Sequence, residues 1–517
     1  MKNMASQSVH GPLTRLDLGP PIVFLLAFFI RLWHLLTLEL DWYGDSYHHW
    51  LISELTIMNG FHYSDFKPLT PQSTSSLILV WLPLPHYLNA ISMYILNSHS
   101  LVVPHMINLI FGSLTCSLAY LISKKIFDNR LPAFAAGVML SFQPWFIGIN
   151  VLGLTETLSS FFVILVLYFY LMNEHNKGGV ASIMGMLTRY ENWLFSGLLV
   201  LLLLPEIVRG KISLKKIAPY ILGALAVVSV WSFWSFINVG DPFAWYQLQS
   251  SMVRSSVEGT IGTNRNFRDI FHYVWLLNAM TLGIFSMSIV VGAWASKKER
   301  LVITLMLLIV GYRSLEYFLG MDLGEERFIV MVLPFVAILM SRLFKNLQGQ
   351  RSFSALNLKK KMLIALVLIL LTILPFASQI WVFNAKVYVI RPEMRVGVWL
   401  RQNYSEGLVL TDSPTVIYFS SIEVDRFVSS SSLDVDIGAN LTKRVDWLRS
   451  HNISYLVWHR VPYSGVWLKF PELADAEDHE IQGLLFKVVY VDKGWEHDYG
   501  VPDIFVYRIE YSFPEPS

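Results

Sequence analysis

Long apolar stretches, separated by short polar ones, run through the first three quarters of the chain. A helix of about 20 apolar residues is long enough to cross the roughly 30 Å hydrocarbon core of a bilayer. The pattern predicts such helices near 21–40, 104–123, 131–149, 155–172, 217–238, 271–294, 301–320, 327–344 and 362–383. Two further apolar segments, 81–97 and 180–204, are ambiguous by length.

Basic residues between the stretches decide how the ambiguous segments are interpreted, because loops rich in Lys and Arg stay on the cytoplasmic side. A span at 81–97 would move Lys124 and Lys125 to the outer side. We therefore predict an interfacial or re-entrant helix on the outer face for this segment. The segment 180–204 has basic loops at both ends and charged residues in its middle. It is predicted as a hairpin of two short helices.

These assignments predict a polytopic α-helical membrane protein with about eleven transmembrane helices. The N-terminus, residues 1–20, is predicted to be cytoplasmic. The predicted membrane domain occupies 21–384, with a first outer loop at 41–103 that holds interfacial helices and another outer loop at 239–270. The first apolar run lacks a small-residue cleavage site, so we expect it to remain as an anchor and not to be a cleaved signal peptide.

Residues 390–517 differ in pattern from the rest of the chain. Their apolar runs are short and rich in β-branched and aromatic residues, which is typical of strands. Predicted strands are Leu408-Val-Leu, Val416-Ile-Tyr-Phe, Tyr455-Leu-Val-Trp, Phe486-Lys-Val-Val-Tyr and Ile504-Phe-Val-Tyr, and an amphipathic helix is predicted at Lys443–Arg449. A soluble α/β domain on the external side is therefore expected. The chain's three Asn-X-Ser/Thr sequons, which fit an external location, all lie here, at Asn403, Asn440 and Asn452.

The composition agrees with a membrane protein and excludes several classes. Charged residues make up 15% of the chain and hydrophobic residues 54%, whereas soluble domains carry about 25% charged residues. The net charge of +2 argues against nucleic acid as a partner. The single cysteine, Cys116, excludes a disulfide framework or a cysteine metal site within one chain.

A cluster of ionisable residues directly follows the first apolar stretch, in the sequence Asp41-Trp-Tyr-Gly-Asp45-Ser-Tyr-His48-His49. Ionisable groups at a membrane face cost free energy unless they are used, so we predict a chemical site at this lipid–water boundary. The structural alternative is that Asp41 ends the helix and Asp45 caps the next one or pairs with a histidine. Adjacent histidines are a weak metal signal. A divalent metal therefore stays open, and no cofactor is certain.

The order of these features resembles that of the GT-C glycosyltransferases, which use polyprenyl-phosphate-linked sugars. Besides Asp41 and Asp45, the matching elements are Phe28-Phe-Ile-Arg31-Leu, Trp81-Leu-Pro-Leu-Pro85-His86-Tyr, Gly153-Leu-Thr-Glu156, Leu187-Thr-Arg189-Tyr-Glu191 and Gly324-Glu-Glu-Arg327-Phe. The last resembles an acidic-Arg-Phe element of several mannosyltransferase branches. Because a second Asp-X-Asp and the Trp-Trp-Asp signature are missing from their places, the chain resembles the protein mannosyltransferase and aminoarabinose transferase branches more than the oligosaccharyltransferases.

The resemblance implies an inverting transfer of a sugar from a polyprenyl- or dolichyl-phosphate donor to an acceptor hydroxyl on the outer face. The acceptor is a protein, a lipid or a glycan. The implied base is Asp45, with Asp41 as a second catalytic candidate, and Arg189 and Arg327 are candidates to stabilise the lipid phosphate. Residues expected to bind substrate are His48, His49, His86, Glu156, Arg189, Glu191, Glu325, Glu326 and Arg327.

Structural roles remain open for most of these residues. Arg189 and Arg327 each have acids beside them and would also form ordinary ion pairs. Glu156 would be stabilised by the helix dipole if it opened a helix, and the prolines before His86 are expected at a helix start.

Two other functions compete with a transferase. A transporter or lipid flippase also has many spans with charges among them, although transporters commonly have related halves with matching broken helices, which this sequence lacks. A non-catalytic subunit of a cell-envelope assembly would look nearly identical, since a fold does not fix a function.

Overall fold

The computed structural model describes residues 17–64, 79–210, 213–251, 266–292, 296–349, 390–433, 440–460, 465–492 and 504–511. The predicted span at 362–383 and most of the polar part of the 239–270 loop lie outside the described residues. All bounds, contacts and absences below refer to the described part of the chain.

The membrane domain is built from helices, several of them short. They are α1 (Gly19–Thr37), α2 (Gly44–Met58), α3 (Pro83–Ile95), α4 (Val102–Phe127), α5 (Arg130–Ser141), α6 (Pro144–Val151), α7 (Glu156–Leu171), α8 (His175–Met186), α9 (Tyr190–Val208), α10 (Leu214–Val239), α11 (244–251), α12 (His272–Thr281), α13 (Ile284–Gly292), α14 (Lys297–Phe318), α15 (Leu333–Met340) and α16 (Arg342–Gly349). Two 3₁₀ helices, Phe267–Phe271 and Glu326–Val332, lead directly into α12 and α15.

Six helices in the described part of the chain are long and apolar enough to cross a membrane, and the number becomes eight if two bent helix pairs each count as one span. The chain is therefore a polytopic membrane protein. The predicted span at 155–172 is a shorter apolar helix, α7, of 16 residues. The total of about eleven stays a prediction, because 362–383 lies outside the described residues and the sides on which the ends lie are not fixed by the helices.

The two ambiguous segments agree with the prediction in part: 81–97 contains a short helix and 180–204 is broken in two, but α9, with 19 residues, is long enough to cross a membrane and is not the short helix predicted. The segment 81–97 contains α3, whose 13 residues are too few to cross a bilayer. The segment 180–204 is divided into α8 and α9, which are separated at Leu187–Arg189. This break places Arg189 at the N-cap of α9, outside the helical hydrogen-bond ladder.

The two bent pairs have local causes in the sequence. The bend of 59° between α5 and α6 falls at Gln143, which is extended because the residue before Pro144 avoids the helical region. Its side chain then accepts a hydrogen bond from Phe146 N at 2.6 Å and caps the new helix. The bend of 106° between α12 and α13 falls at Leu282 and Gly283, which both have positive φ.

The C-terminal domain contains one mixed sheet of six strands flanked by helices. The strands are β1 (Leu408–Leu410), β2 (Phe427–Val428), β3 (Ile453–His459), β4 (His479–Ile481), β5 (Leu484–Asp492) and β6 (Ile504–Tyr511), and the helices are α17 (390–403), α18 (Pro414–Ser420), α19 (Leu441–Ser450) and α20 (Gly465–Lys469). The strand order is β2-β1-β3-β6-β5-β4. β1 pairs in parallel with β2 and β3, while β3, β6, β5 and β4 pair antiparallel.

One predicted strand was wrong. Val416-Ile-Tyr-Phe lies in helix α18, because Pro414 occupies the first turn and Ser413 caps it by accepting from Val416 N at 3.2 Å. The other four strand segments and the amphipathic helix, now α19, are present. A run of four apolar residues has no period by which a strand could be told from a buried helix.

Helix α18 fastens the C-terminal domain to the first loop of the membrane domain. Tyr418 packs against Tyr47 and Trp50 of α2, with ring centroids 5.4 and 4.9 Å apart. Ile390 and Val416 join the same buried apolar cluster. Since Asp45 and His49 are on α2, this contact joins the C-terminal domain to the helix that carries the predicted site residues.

Candidate active site

Four chain segments that are distant in sequence bring the predicted site residues together. They are the start of α2, the connection between α6 and α7, the break between α8 and α9, and the turn before the 3₁₀ helix Glu326–Val332. Each is a helix end or a break, so each presents polar side chains that a continuous membrane helix would not. The residues contributed are Asp45, Glu156, Arg189, Glu191, Glu325 and Arg327.

The centre of this group is an ion pair between Asp45 and Arg327. Arg327 Nη1 donates to Asp45 Oδ2 at 2.5 Å. The Arg327 side chain is 9% exposed and that of Asp45 30% exposed, so the carboxylate keeps one open side. Burial is the largest single influence and raises the pKa of Asp45. The charge and hydrogen bond of Arg327, together with the charges of His48 and Arg189, outweigh it and lower that pKa. Asp45 is thus ionised at neutral pH and reachable from outside.

Arg327 also contacts two other acids and two aromatic rings. Its Nε lies 2.6 Å from Glu325 Oε2 and 3.8 Å from Glu156 Oε1. Its guanidinium carbon lies 4.7 Å from the ring centre of Tyr43 and 5.0 Å from that of Phe328. Aromatic faces stabilise a cation without neutralising it, so the rings hold the guanidinium while its charge stays available.

Arg189 is bound more completely by protein acids. Its Nη1 donates to Glu156 Oε1 at 2.8 Å and to Thr155 Oγ1 at 2.9 Å. A fork of two bonds, 3.0 and 2.6 Å long, joins its Nε and Nη2 to Glu191. Such bidentate pairing fixes a guanidinium in position. Arg189 is therefore fixed by protein acids, whereas Arg327, the other predicted phosphate-binding arginine, contacts the partly exposed carboxylate of Asp45.

Sequence reasoning missed a third arginine, Arg313. It lies inside the predicted span 301–320, in α14, and pairs with Glu191, with Glu316 at 2.8 Å and with Asp322 at 3.0 Å. An arginine within a membrane helix is itself a signal of a polar interior site.

Asp322, the acid that binds Arg313, fixes the turn that carries the last predicted motif. It accepts from Tyr273 O–H and from Gly324 N, both at 2.7 Å. The Phe of the predicted acidic-Arg-Phe element, Phe328, has the guanidinium carbons of three arginines at 5.0–5.7 Å from its ring centre. The motif residues are thus held by partners on α12 and α14.

Asp41 lies in a different environment from Asp45. It is 2% exposed and its Oδ2 lies 3.0 Å from His105 Nε2 on α4 and 3.4 Å from Gly153 N. His105 was not predicted as a site residue. The pair ties the end of the first helix to α4 and to the loop that leads to Glu156, which suits a supporting role next to the site.

The predicted histidines form a second group, with two of them on α2 and one on α3. His49 Nδ1 lies 2.9 Å from His86 Nε2, and both rings are buried. His48 lies edge-on to Trp81, with ring centroids 6.1 Å apart. Glu326 begins the 3₁₀ helix and lies near Tyr43. Burial raises the pKa of Tyr43 most, and the charges of Glu325 and Glu326 raise it further.

No group of three or more His, Cys, Asp and Glu side chains in the described part of the chain is placed to hold a metal ion. The acids of the site are paired with guanidinium groups. The described residues of the site thus provide a carboxylate surrounded by guanidinium cations.

An apolar cleft opens next to the two bends of the membrane domain. Its free space, part of which is open to the surroundings, is about 470 Å³. It is lined by Met139, Leu140, Gln143, Pro144, Met280, Thr281, Ile284, Leu333, Val336 and Ala337. Gln143 donates to Met280 O at 3.2 Å and so links the two bends. Helix α15, which lines the cleft, directly follows the 3₁₀ helix that carries Arg327.

Together, the apolar helices and the C-terminal sheet domain define an integral membrane protein with the GT-C fold. The structure of ArnT from Cupriavidus metallidurans bound to undecaprenyl phosphate matches with a TM-score of 0.57 and 13% identity, over 95% of this chain and 97% of that chain. The archaeal oligosaccharyltransferase AglB from Archaeoglobus fulgidus, in complex with an inhibitory peptide and a dolichol-phosphate, matches with a TM-score of 0.54 and 14% identity, over 85% and 69%.

The family model of dolichyl-phosphate-mannose-protein mannosyltransferases matches residues 82–234 of the chain. The matched part is less than half of the sequence and runs from α3 to α10, so it contains His86, Glu156, Arg189 and Glu191 but neither Asp45 nor Arg327. No curated protein matches the sequence.

Proposed function

We propose that the protein is a membrane glycosyltransferase that moves a sugar from a polyprenyl-phosphate donor to an acceptor hydroxyl on the outer membrane face, with inversion. The observation that carries this proposal is the Asp45–Arg327 pair, 2.5 Å long and open on the carboxylate side. The fold of solved structures bound to undecaprenyl phosphate and dolichol-phosphate supports a lipid-phosphate ligand.

In this mechanism Asp45 acts as the general base. As the bond between the sugar C1 and the phosphate oxygen breaks, the acceptor hydroxyl attacks C1 from the opposite face and gives its proton to Asp45. The bond electrons stay with the leaving lipid phosphate, and the new bond has the opposite configuration at C1. Arg327, which is hydrogen-bonded to Asp45, would stabilise the negative charge of that phosphate.

The shared position of Arg327 links donor binding to the strength of the base. Without donor, Arg327 lowers the pKa of Asp45. A donor phosphate that competes for the guanidinium would weaken this effect, and burial would then raise the pKa of Asp45. The carboxylate becomes a better proton acceptor once a phosphate is in place.

The apolar cleft is the proposed site for the first part of the polyprenyl chain. Leu333, the first residue of α15, lies six residues after Arg327. The 3₁₀ helix between them rises by about 2 Å per residue, so the two backbone positions are roughly 12 Å apart. The lining is hydrocarbon apart from Gln143 and Thr281, as suits an isoprenoid chain. A lipid anchored there would hold its phosphate near Arg327.

Filling the cleft should therefore impair long-chain donors selectively. Ala337→Trp is expected to raise the KM for a long polyprenyl-phosphate sugar by about tenfold, because each buried methylene contributes roughly 0.8 kcal/mol. A donor with a one- or two-isoprene chain should be used as before. Leu307→Trp, on an exposed part of α14, is the control. Equal defects with long and short donors would contradict the assignment of the cleft.

The function itself is tested with purified protein and a panel of radiolabelled polyprenyl-phosphate sugars, each offered with protein, lipid and glycan acceptors. Transfer of label from one donor, dependent on Asp45, supports the proposal and identifies the sugar. Folded protein that turns over no donor would favour transport or a scaffolding role in an envelope assembly.

A further inference from the structure

His49 on α2, His86 on α3 and Tyr63 form a buried hydrogen-bonded chain. His49 Nδ1 lies 2.9 Å from His86 Nε2. His86 Nδ1 lies 3.0 Å from the carbonyl oxygen of Leu82 and 3.1 Å from Tyr63 Oη. Tyr63 O–H in turn donates to the carbonyl oxygen of Trp81 at 3.0 Å. The chain thus ends on two backbone carbonyls just before and at the N-cap of α3.

These backbone carbonyls fix the proton positions on both rings. A carbonyl oxygen only accepts, so His86 Nδ1 carries the hydrogen that is shared with Leu82 O and with Tyr63 Oη. When the His86 ring is neutral, its Nε2 is therefore the bare nitrogen and accepts from His49 Nδ1–H. It follows that His49, when neutral, presents Nε2 as a bare acceptor, since each neutral imidazole has one donor and one acceptor nitrogen.

The bare nitrogen of His49 is buried and has no hydrogen-bond partner among the described residues. The whole residue is 1% exposed, and its ring stands edge-on to Trp81 at 4.6 Å between centroids. An unsatisfied buried acceptor costs about 1–3 kcal/mol. The cost is removed when a ligand donates to it.

His49 is also on the same helix as the proposed base. It lies four residues after Asp45 on α2, so the two side chains share a helix face. Burial chiefly, and then the charges of His86, His48, Arg189 and Arg327, lower the pKa of His49 well below its ordinary value. The ring is therefore neutral at physiological pH, and its ligand must bring the hydrogen.

We propose that His49 Nε2 accepts a hydrogen bond from a substrate hydroxyl next to the reacting centre, and that His49 is a specificity-determining residue held in its tautomer by His86. This rests on the proposed transferase function. A hydroxyl fits better than an amino group at this point, because burying an ammonium against a neutral ring costs far more than burying a hydroxyl. The hydroxyl belongs either to the donor sugar or to the acceptor.

Paired substrates and variants test this role. His49→Phe keeps the ring contact with Trp81 and removes the acceptor nitrogen. We expect it to lower kcat/KM for the natural sugar donor by about 10- to 100-fold, in line with the loss of one buried hydrogen bond. With the donor deoxygenated at the contacted position, wild type and variant should react equally. If the effect of His49→Phe disappears with one particular deoxy donor, the contacted hydroxyl belongs to the donor at that position. Coupling instead to a deoxy acceptor analogue, measured as a competitive inhibitor, identifies the acceptor hydroxyl.

The same loss for all hydroxyl and deoxy pairs would overturn the proposal and leave His49 as a packing residue. His62→Phe, at an exposed position of the same loop, is the matched control and should leave every ratio unchanged. A second readout needs no turnover. Nitrogen-15 NMR of histidine-labelled protein should show His49 with Nδ1 protonated and Nε2 bare, and His86→Phe should abolish that state. A protonated Nε2 in the unmodified protein would contradict the assigned tautomer.

Binding separates a failure of this proposal from a failure of the transferase function. If no donor is turned over, the affinities of a non-transferable polyprenyl phosphonate sugar and its deoxy analogues are compared in wild type and His49→Phe. Coupling in binding without any transfer would retain the hydroxyl site and reject the catalytic function. If transfer is observed but His49→Phe and removal of the hydroxyl act independently in both binding and transfer, the hydroxyl site is rejected and the transferase function stands.

Discussion

Asp45→Asn is expected to lower kcat for sugar transfer by about 10²- to 10⁴-fold, the usual contribution of a general base. Asparagine has nearly the same shape and can still accept from Arg327 through Oδ1, but it cannot take up the proton of the acceptor hydroxyl. Arg327 keeps Glu325 at 2.6 Å as a partner, so the fold should survive. Single-turnover transfer from a radiolabelled donor, beside a thermal melt of the same preparation, measures both effects.

Asp41→Asn is the matched comparison for this experiment. The two aspartates are four residues apart, Asp45 in the first turn of α2 and Asp41 just before it, but Asp41 is 2% exposed and pairs with His105. Asp41→Asn should therefore lower the melting temperature, because the contacts with His105 and Gly153 are weakened. It should affect transfer only indirectly, by displacing the segment before α2. Full activity in Asp45→Asn would reject Asp45 as the base. A larger catalytic loss in Asp41→Asn, at unchanged stability, would move the role to Asp41.

The site shows where sequence reasoning reaches and where it stops. The acids and arginines were found individually because each interrupts an apolar pattern at a predicted helix end. Their pairing was not predictable, since Asp45 and Arg327 are 282 residues apart and no periodicity relates them. Arg313 was passed over because a single charge inside an otherwise apolar stretch does not change the prediction of a span, although three acids gather round it.

The fold was predictable to a similar extent. Charge between the apolar stretches correctly divided 180–204 into two helices and kept 81–97 as a short one. The bends within α5–α6 and α12–α13 depend on Pro144 and on positive φ at Leu282 and Gly283, features that a hydropathy pattern does not carry. The error at Val416 arose from reading four apolar residues without the Ser413-Pro414 helix start before them.

Arg327→Ala should change the pH dependence of transfer as well as donor binding. With Arg327 present, the pKa of Asp45 is lowered, so the active carboxylate form persists to acidic pH. Without it burial dominates, the pKa rises, and the acid limb of the kcat/KM profile is expected to move to higher pH. The KM for the donor should rise more than that for the acceptor, because the phosphate loses its cation. Arg327→Lys keeps a positive charge and should leave the acid limb close to its original position.

Stability should fall in the same variant with a defined pH dependence. Removing one partner of a buried ion pair costs about 3–5 kcal/mol, and the cost here is expected to be smaller because Asp45 is 30% exposed. The pair's contribution is present above the ordinary pKa of Asp and is lost as pH falls through the lowered pKa of the folded state. Arg342→Ala, which removes a 2.5 Å pair with Glu299 far from the site, controls for the loss of an ion pair alone. If Arg342→Ala changed the donor KM and the acid limb as much as Arg327→Ala does, the changes would reflect general destabilisation. If Arg342→Ala leaves both unchanged and Arg327→Ala shifts them, Arg327 acts on the donor phosphate and on Asp45.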